Sequence, residues 1–450
     1  MIRWPLSRLI VAGALVLATQ AAIVLFLIPQ VSGYVATSIN QDRYTDGYDQ
    51  LAENLVTGNG YRFYPDTAKT LMREPGYPLL LAGLMLTVGN SFTAVKLANV
   101  VMALITAWVM MQLTRRVLPS KGRRSELLVW LPALLFLFHP GILVAESRGG
   151  VEIVFSLLIT TFMLTTYEAI EKNRWWNYAV GGTVLGVTLL FRSTPMLFPF
   201  FLLVYLLLFE RERVSIFSMF RNVTIMVFAM FAILSPWILR NYSLTGKIVP
   251  TASVLGVSAQ AGQYIGTHLW EGKPIWLLDR EAARLRDKVA IDLGYSFKEG
   301  PGGYYQTFYR SVDEVTFSKA LFGRVKGEYL RHPMLFLRCL AQNVVNFWVA
   351  GKTWSATAIN LVIQIPYLAF AFFGVWKAHR NCRMKSVAPI LLFIGYVMAV
   401  HVPILAQARY SIPMLPLVSI LAMLGIATSV QKVLAWKDAS DSASVVVAQG

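Results

Sequence analysis

The feature that most constrains this chain is a series of apolar runs, each close to the roughly 20 residues that cross a bilayer as one helix. They lie near residues 9–29, 92–113, 126–143, 151–170, 177–191, 195–209, 222–239, 355–376, 386–405 and 413–431. Of 450 residues, 56% are hydrophobic and only 14% charged, and the mean hydropathy is +0.54. A soluble chain of this length could not hide that much apolar surface in one core. Lipid is the alternative solvent. The expected fold is an all-α polytopic membrane protein of about ten transmembrane helices, with juxtamembrane helices in its first outer loop.

Charge sets the expected orientation. The chain carries 41 basic and 24 acidic residues, a formal +17. That surplus does not argue for nucleic acid here, because basic residues collect in turns that stay in the cytoplasm. Arg115, Arg116, Arg123 and Arg124 mark one such turn, Arg211 and Arg213 another. The short outer turns carry one cation each, Arg148, Arg192 and Arg409. Residues 333–350 are apolar enough to tempt a further span. Crossing there would put Lys377, His379, Arg380, Arg383 and Lys385 outside, and Arg338 in mid-membrane, so this stretch reads as an amphipathic helix in the outer interface.

Both termini then lie inside, and segments 31–91 and 238–352 are the only sizeable outer surfaces. The first apolar run is longer than a usual signal core, shows no obvious small-x-small cleavage site, and reads as a retained span rather than a signal peptide. Residues 1–432 form the membrane-embedded body, and 433–450, without apolar periodicity, are expected to be a disordered cytoplasmic tail. Cys339 and Cys382 give neither a disulfide framework nor a metal motif.

The first outer segment is the most informative text. From Tyr48 to Val56 the apolar residues Tyr48, Leu51, Ala52 and Leu55 fall on one helical face. Asp46 or Thr45 is placed to cap its start, and Gly58 or Gly60 its end. A second short apolar helix follows Arg73-Glu74-Pro75-Gly76-Tyr77-Pro78. A carboxylate is therefore held at a helix start just outside the membrane. Local sequence alone reads Asp46 equally well as a cap or as a chemical group.

Taken in order, several motifs carry a resemblance. They are Asp46-Gly47-Tyr48, Leu51 to Leu55, Gly58-Asn59-Gly60-Tyr61 and the Arg73 to Pro78 turn. After them come His139-Pro140, Glu152, Leu190-Phe191-Arg192, Pro236 to Tyr242 with Gly246-Lys247, and Ala408-Arg409-Tyr410 with Pro413 and Pro416. Over about 40–420 the chain resembles bacterial GT-C glycosyltransferases, relatives of the protein O-mannosyltransferases and of the lipid A aminoarabinose transferase. Glu74 stands where the family often has the first of two prolines.

The resemblance implies an enzyme, a glycosyltransferase. It would move a hexose or pentose from a polyprenyl-phosphate carrier to an acceptor hydroxyl outside the cytoplasm, usually with inversion. Asp46 matches the family's base, with Asp42 and Asp49 as alternates. Inverting transfer needs such a base on the acceptor hydroxyl, and a stable phosphate leaving group needs cations rather than an acid. Arg73 either orders its loop or meets the sugar. Arg240 and Arg409, at outer ends of spans, match positions for the carrier phosphate, against the plainer reading of snorkelling anchors. Glu152 matches a substrate-binding position, whereas Glu146 and Arg148 read as a water-satisfied turn. His139 and His401 lack the spacing of a closed metal site. No metal ligand is assigned, and a divalent cation stays open because some members of the family use one.

The expected partners are the lipid-linked donor, a glycan, lipid or protein acceptor, and membrane lipids. The expected location is the inner (plasma) membrane, with the site facing the periplasm or exterior. Two other classes compete. An O-antigen polymerase or ligase would show an arginine-rich outer loop without the Asp signature. A lipid-linked glycan flippase or other transporter would show charges at mid-bilayer and, in many cases, inverted repeats; neither is found in this sequence. Tyr304, Tyr305, Phe308 and Tyr309 could stack on sugars or simply pack.

Overall fold

The computed structural model describes residues 6–32, 46–118 and 123–426. Asp42, Thr45 and the 433–450 tail lie outside them. The described chain is almost wholly helical. Helix α1, Leu6–Ala22, continues through a π turn, Ile23–Leu27, into Ile28–Ser32. Two short helices follow, α2 (Tyr48–Val56) and α3 (Gly76–Val88). The bundle then takes α4 (Phe92–Val117), α5 (Arg123–Leu137), α6 (Pro140–Glu146), α7 (Glu152–Lys172), α8 (Trp175–Leu189), α9 (Phe198–Phe209) and α10 (Ile216–Thr245). An outer stretch carries α11 (Leu255–His268), α12 (Ile275–Asp292), α13 (Ser311–Arg331) and α14 (Pro333–Val349). The chain returns through α15 (Trp354–Arg380), α16 (Met384–His401) and a last helical segment, α17 (Ala408–Ile426).

Seven helices among the described residues are long and apolar enough to cross a membrane: Gly13–Val31, α4, α7, α10, α15, α16 and α17. Treating α5 and α6 as one bent span makes eight. The expected count of about ten is not reached, for two physical reasons. The run expected to cross straight over 126–143 breaks at His139-Pro140 with a 55° bend. There Pro140, which has no N–H, opens α6, and His139 caps it by accepting from the Gly141 amide at 3.1 Å. The runs at 177–191 and 195–209 form helices that are too short. α8 has 15 residues, about 22 Å against a hydrocarbon core of about 30 Å, and α9 has 12 after a four-residue 3-10 turn.

Close packing is bought by small residues. Gly182 and Gly186 lie one turn apart on α8, and a Cβ on Gly182 would sit 2.1 Å from the Met226 carbonyl oxygen of α10. This is how membrane helices approach when lipid offers no hydrophobic gain for their association. The α14 stretch is amphipathic as expected. Met334, Leu337 and Val345 are exposed, while Asn343 and Asn346 point inward and Asn343 donates to the Val402 carbonyl at 2.8 Å.

Residues 46–91 and 238–352 form one lobe with its own core. Leu51, Tyr61, Phe63 and Met72 of the first pack against Val257, Tyr305, Phe308, Phe317 and Leu321 of the second. A hairpin, β1 (Phe297–Glu299) with β2 (Gln306–Phe308), is antiparallel with Phe297 opposite Phe308. Backbone bonds stitch the segments together, from the Ala68 amide to the Phe308 carbonyl at 3.0 Å and from the Ser253 amide to the Leu71 carbonyl at 2.8 Å.

Candidate active site

The apolar face read from the sequence forms α2, with Tyr48, Leu51 and Ala52 buried. Its start differs from expectation. Gly47, not Asp46 or Thr45, occupies the N-cap, at φ 83° and without a side-chain cap. Asp46 precedes it at φ 55°. Two successive left-handed residues turn the carboxylate away from the helix amides, a conformation costly for any residue but glycine. Gly47 has no alternative, since a Cβ there would meet the Phe63 ring at 2.7 Å. The helix end agrees with expectation, with Gly58 at φ 80° just past Thr57.

Freed from capping, Asp46 accepts a hydrogen bond at Oδ2 from Arg409 Nη1 at 2.8 Å. Its backbone carbonyl accepts from Arg73 Nε at 3.3 Å and from the Tyr305 hydroxyl. The Arg73 guanidinium lies over Tyr305, 4.9 Å from the ring centroid, and over Tyr48 at 5.6 Å. The Arg73-Glu74 turn is docked on the Leu190-Phe191-Arg192 turn. Glu74 Oε1 accepts from the Ser193 amide at 3.1 Å, and the Gly76 amide donates to the Leu190 carbonyl at 2.7 Å. Arg192 pairs with Glu152 Oε1 at 3.0 Å and covers the Tyr410 ring at 5.3 Å. His401 stacks on the same Tyr410 ring, centroid to centroid 4.6 Å.

Charge at this place is lopsided. Burial on its own would raise the Asp46 pKa, but Arg409, then Arg73, Lys352 and Arg192 together hold it well below the usual carboxylate range. Lys352 is pushed down by burial and by Arg409, with Asp46 and Asp279 pulling the other way. Asp279 is pushed up by burial, against Lys352 and Arg409. Arg409 keeps donor capacity in reserve: Nη1 serves Asp46, Nη2 reaches the Tyr410 hydroxyl at 3.3 Å, and Nε has no partner among the described residues.

Of the residues singled out by sequence, the fold gathers Asp46, Arg73, Arg409 and, through Arg192, Glu152. It does not gather Arg240. That guanidinium lies over Trp237 (4.5 Å) and Tyr61 (5.2 Å) and donates to the Thr70 carbonyl at 2.9 Å. Arg240 and Arg409 share no partner among the described residues. Asp49 is buried in the first turn of α2, near enough to Tyr64 for its charge to act on that phenol. Lys352 and Asp279 come from the long 238–352 segment, where the sequence marks neither residue, and Tyr305 is marked there only as one of several aromatics suited to stacking or packing. Arg192 carried a weak signal, as the lone cation of a short outer turn.

Among the described residues no three His, Cys, Asp or Glu side chains converge as metal ligands. The surroundings of Asp46 also argue against a cation there, since four basic side chains act on it.

Comparison with known proteins bears out the resemblance read from the sequence. Residues 72–239 match the family model described as dolichyl-phosphate-mannose-protein mannosyltransferase. The fold is similar to the archaeal oligosaccharyltransferase AglB from Archaeoglobus fulgidus, in complex with an inhibitory peptide and a dolichol-phosphate. The TM-score is 0.54 at 12% identity, over 96% of this chain and 52% of that one. The apo form of the Archaeoglobus fulgidus oligosaccharyltransferase gives 0.54 at 13% identity, over the same 96% and 52%. ArnT from Cupriavidus metallidurans bound to undecaprenyl phosphate aligns at a TM-score of 0.42 and 15% identity, over 93% of this chain and 77% of that one. The chain thus spans about half the length of the archaeal chains whose fold it shares. No curated protein matches it. The protein has the all-α, multi-pass membrane fold of the GT-C type.

Proposed function

We propose that this protein is an integral-membrane glycosyltransferase that moves a sugar from a polyprenyl-phosphate carrier to an acceptor hydroxyl on the non-cytoplasmic side. The observation that carries the reading is the ionised carboxylate of Asp46, set at the end of the bundle beneath the outer lobe and surrounded by Arg409, Arg73, Lys352 and Arg192. One base among several cations suits attack on a carbon whose leaving group is a phosphate. The acceptor oxygen bonds to the anomeric carbon as the bond from that carbon to the phosphate oxygen breaks. The carrier phosphate leaves with the electron pair, and Asp46 takes the acceptor's proton.

A carboxylate paired to arginine is a weak base at rest. Binding of the carrier phosphate offers Arg409 a second anion, and loosening of the 2.8 Å pair raises the basicity of Asp46 when substrate is present. Arg73, Lys352 and Arg192 stay nearby to hold the phosphate charge. Arg240 is assigned to the support of the Thr70 to Arg73 stretch rather than to substrate. A divalent cation beside Asp46 would meet four positive side chains, so the residues present do not fit one, and no step runs through a metal.

We place the protein in the inner (plasma) membrane with this site facing the periplasm or exterior. Clustered arginines at the far ends of the same helices support that orientation. Cysteines introduced at the exposed positions Lys69 and Gly302 should react with an impermeant reagent in cells with a permeabilised outer envelope, and reversed accessibility sinks the orientation. The activity is tested with purified protein and a synthetic short-chain polyprenyl-phosphate sugar. Lipid-phosphate release coupled to acceptor glycosylation is expected. Movement of intact lipid-linked glycan without bond cleavage would favour the flippase reading instead.

A further inference from the structure

Helices α7, α9 and α16 run away from the Asp46 cluster and end together at the opposite end of the bundle. On α7, Glu152 lies in the site and Glu171 at the far end, 19 positions later, about 28 Å along the axis. On α16, His401 lies at the site end and Lys385 at the far one. Between these far ends and the last turn of α4 is a cleft of about 570 Å³.

Basic residues in short inner turns are ordinarily a solvated belt. Here they converge from separate turns on one cavity. Arg115 and Arg116 arrive from α4, Arg213 from the turn after α9, Arg383 from the N-cap of α16 and Lys385 from its first turn, against only Glu171 and Glu210 in the lining. The floor is fixed by two phenols, Tyr167 donating to the Ser386 carbonyl at 2.7 Å and Tyr205 to the Lys385 carbonyl at 3.1 Å. These bonds tie the 383–386 turn to α7 and α9, so the cations on it are positioned rather than free to wave in solvent.

Local acids use up some of this charge. Arg116 is shared between Glu168, at 2.6 Å, and Glu171. Arg213 Nε and Lys385 Nζ take opposite oxygens of Glu210, at 2.9 and 3.1 Å. Arg383 is left over: its half-buried guanidinium has no hydrogen-bond or ion partner among the described residues. Burial lowers its pKa. Beside the cleft, Phe209 of α9 is 40% exposed and stacks on Tyr205 at 5.2 Å, giving an apolar wall next to the charge.

We infer that this cleft is a second binding site, for a phosphate ester, and that its occupant is the headgroup of an anionic phospholipid held by Arg383 and Lys385 with its chains along α9. A guanidinium binds phosphate through two parallel hydrogen bonds, and a headgroup brings both the anion and the apolar tail that the cleft can serve. The inference is independent of the chemistry at Asp46.

The test is lipid retention by purified full-length protein, read by native mass spectrometry. Phosphatidylglycerol and phosphatidylcholine are added at equal amounts, with inorganic phosphate as competitor. Phosphatidylglycerol should be retained several-fold over phosphatidylcholine, and Arg383→Gln should lower that retention about tenfold. Arg383→Lys keeps the charge without the fork and should fall between. Displacement by millimolar inorganic phosphate alone would support the phosphate site but assign it to a soluble ester. Equal retention of the two lipids by the wild-type protein with no effect of phosphate, or full retention by Arg383→Gln melting like wild type, overturns the inference. The wild-type comparison decides even if the variant fails to fold.

Discussion

Two charged clusters sit a few residues apart in the outer region and use the same residue types to opposite ends. At the first, Asp46 meets Arg409 at 2.8 Å with three more cations acting on it, and the acid and arginine stay 24% and 32% exposed. At the second, Arg240 donates to the Thr70 carbonyl between Trp237 and Tyr61, while Glu314 accepts from the Leu71 amide at 2.7 Å and from Ser253 Oγ at 3.4 Å. Glu314 is only 2% exposed, and burial, opposed by these bonds and by Arg240, leaves its pKa at about 7. The second cluster holds two adjacent backbone groups, the Thr70 carbonyl and the Leu71 amide, and so clamps the approach to Arg73. The first gathers four cations around one carboxylate. Spare charge at an accessible carboxylate marks chemistry, and charge consumed by backbone marks scaffold.

The largest effect should come from Asp46→Asn. It leaves side-chain size unchanged and removes basicity, so turnover should fall about a hundred- to ten-thousand-fold while the protein still folds. Near-normal sugar transfer by this variant would hand the role to Asp49 or Asp42.

Glu314 gives the next effect, on stability. An acid whose folded pKa, about 7, exceeds its ordinary value near 4.5 favours folding in its protonated form. Its contribution is fullest below the unfolded pKa and is lost as pH rises through 7, on the order of 3 kcal/mol in all. Thermal melts in detergent should therefore weaken between pH 5 and pH 8, and Glu314→Gln should flatten that slope. An unchanged slope removes Glu314 as its source.

Arginine-to-lysine exchanges compare the clusters directly. Arg409→Lys should raise the donor KM or lower turnover by the loss of a charged hydrogen bond, about 1.5–3 kcal/mol. Arg240→Lys should instead lower the melting temperature and leave the donor KM in place. Identical behaviour of the two variants would erase the distinction drawn here. The smallest effect, none at all, is expected from chelation: transfer measured with and without EDTA should agree, since the Asp46 surroundings are already cationic. A metal-dependent rate would require a different arrangement of these side chains with substrate bound.

Much of this was legible in the residues. The α2 face, the short apolar helix after the Arg73 turn and the amphipathic 333–350 stretch follow from periodicity, which one dimension records faithfully. The span count was less legible. Hydropathy finds apolar stretches but does not show the break that Pro140 imposes, and the 177–191 and 195–209 runs stay as short in the fold as they are in the sequence. The cap assigned to Asp46 failed because Asx residues favour both caps and left-handed turns, and the choice fell to Gly47 crowded by Phe63 and Tyr305.

The sequence by itself determined the solvent of this protein, its helical class and the chemical candidacy of Asp46, Arg73 and Arg409. These depend on composition and on local motifs. Only the tertiary structure decided which charges act together. Residues 46 and 409 lie at opposite ends of the chain, and no motif in the sequence marks Lys352 or Asp279. Their union rests on the outer lobe's shared core of Leu51, Phe63, Tyr305 and Phe317. Coulomb interactions fall with distance in space, and that distance is set by packing.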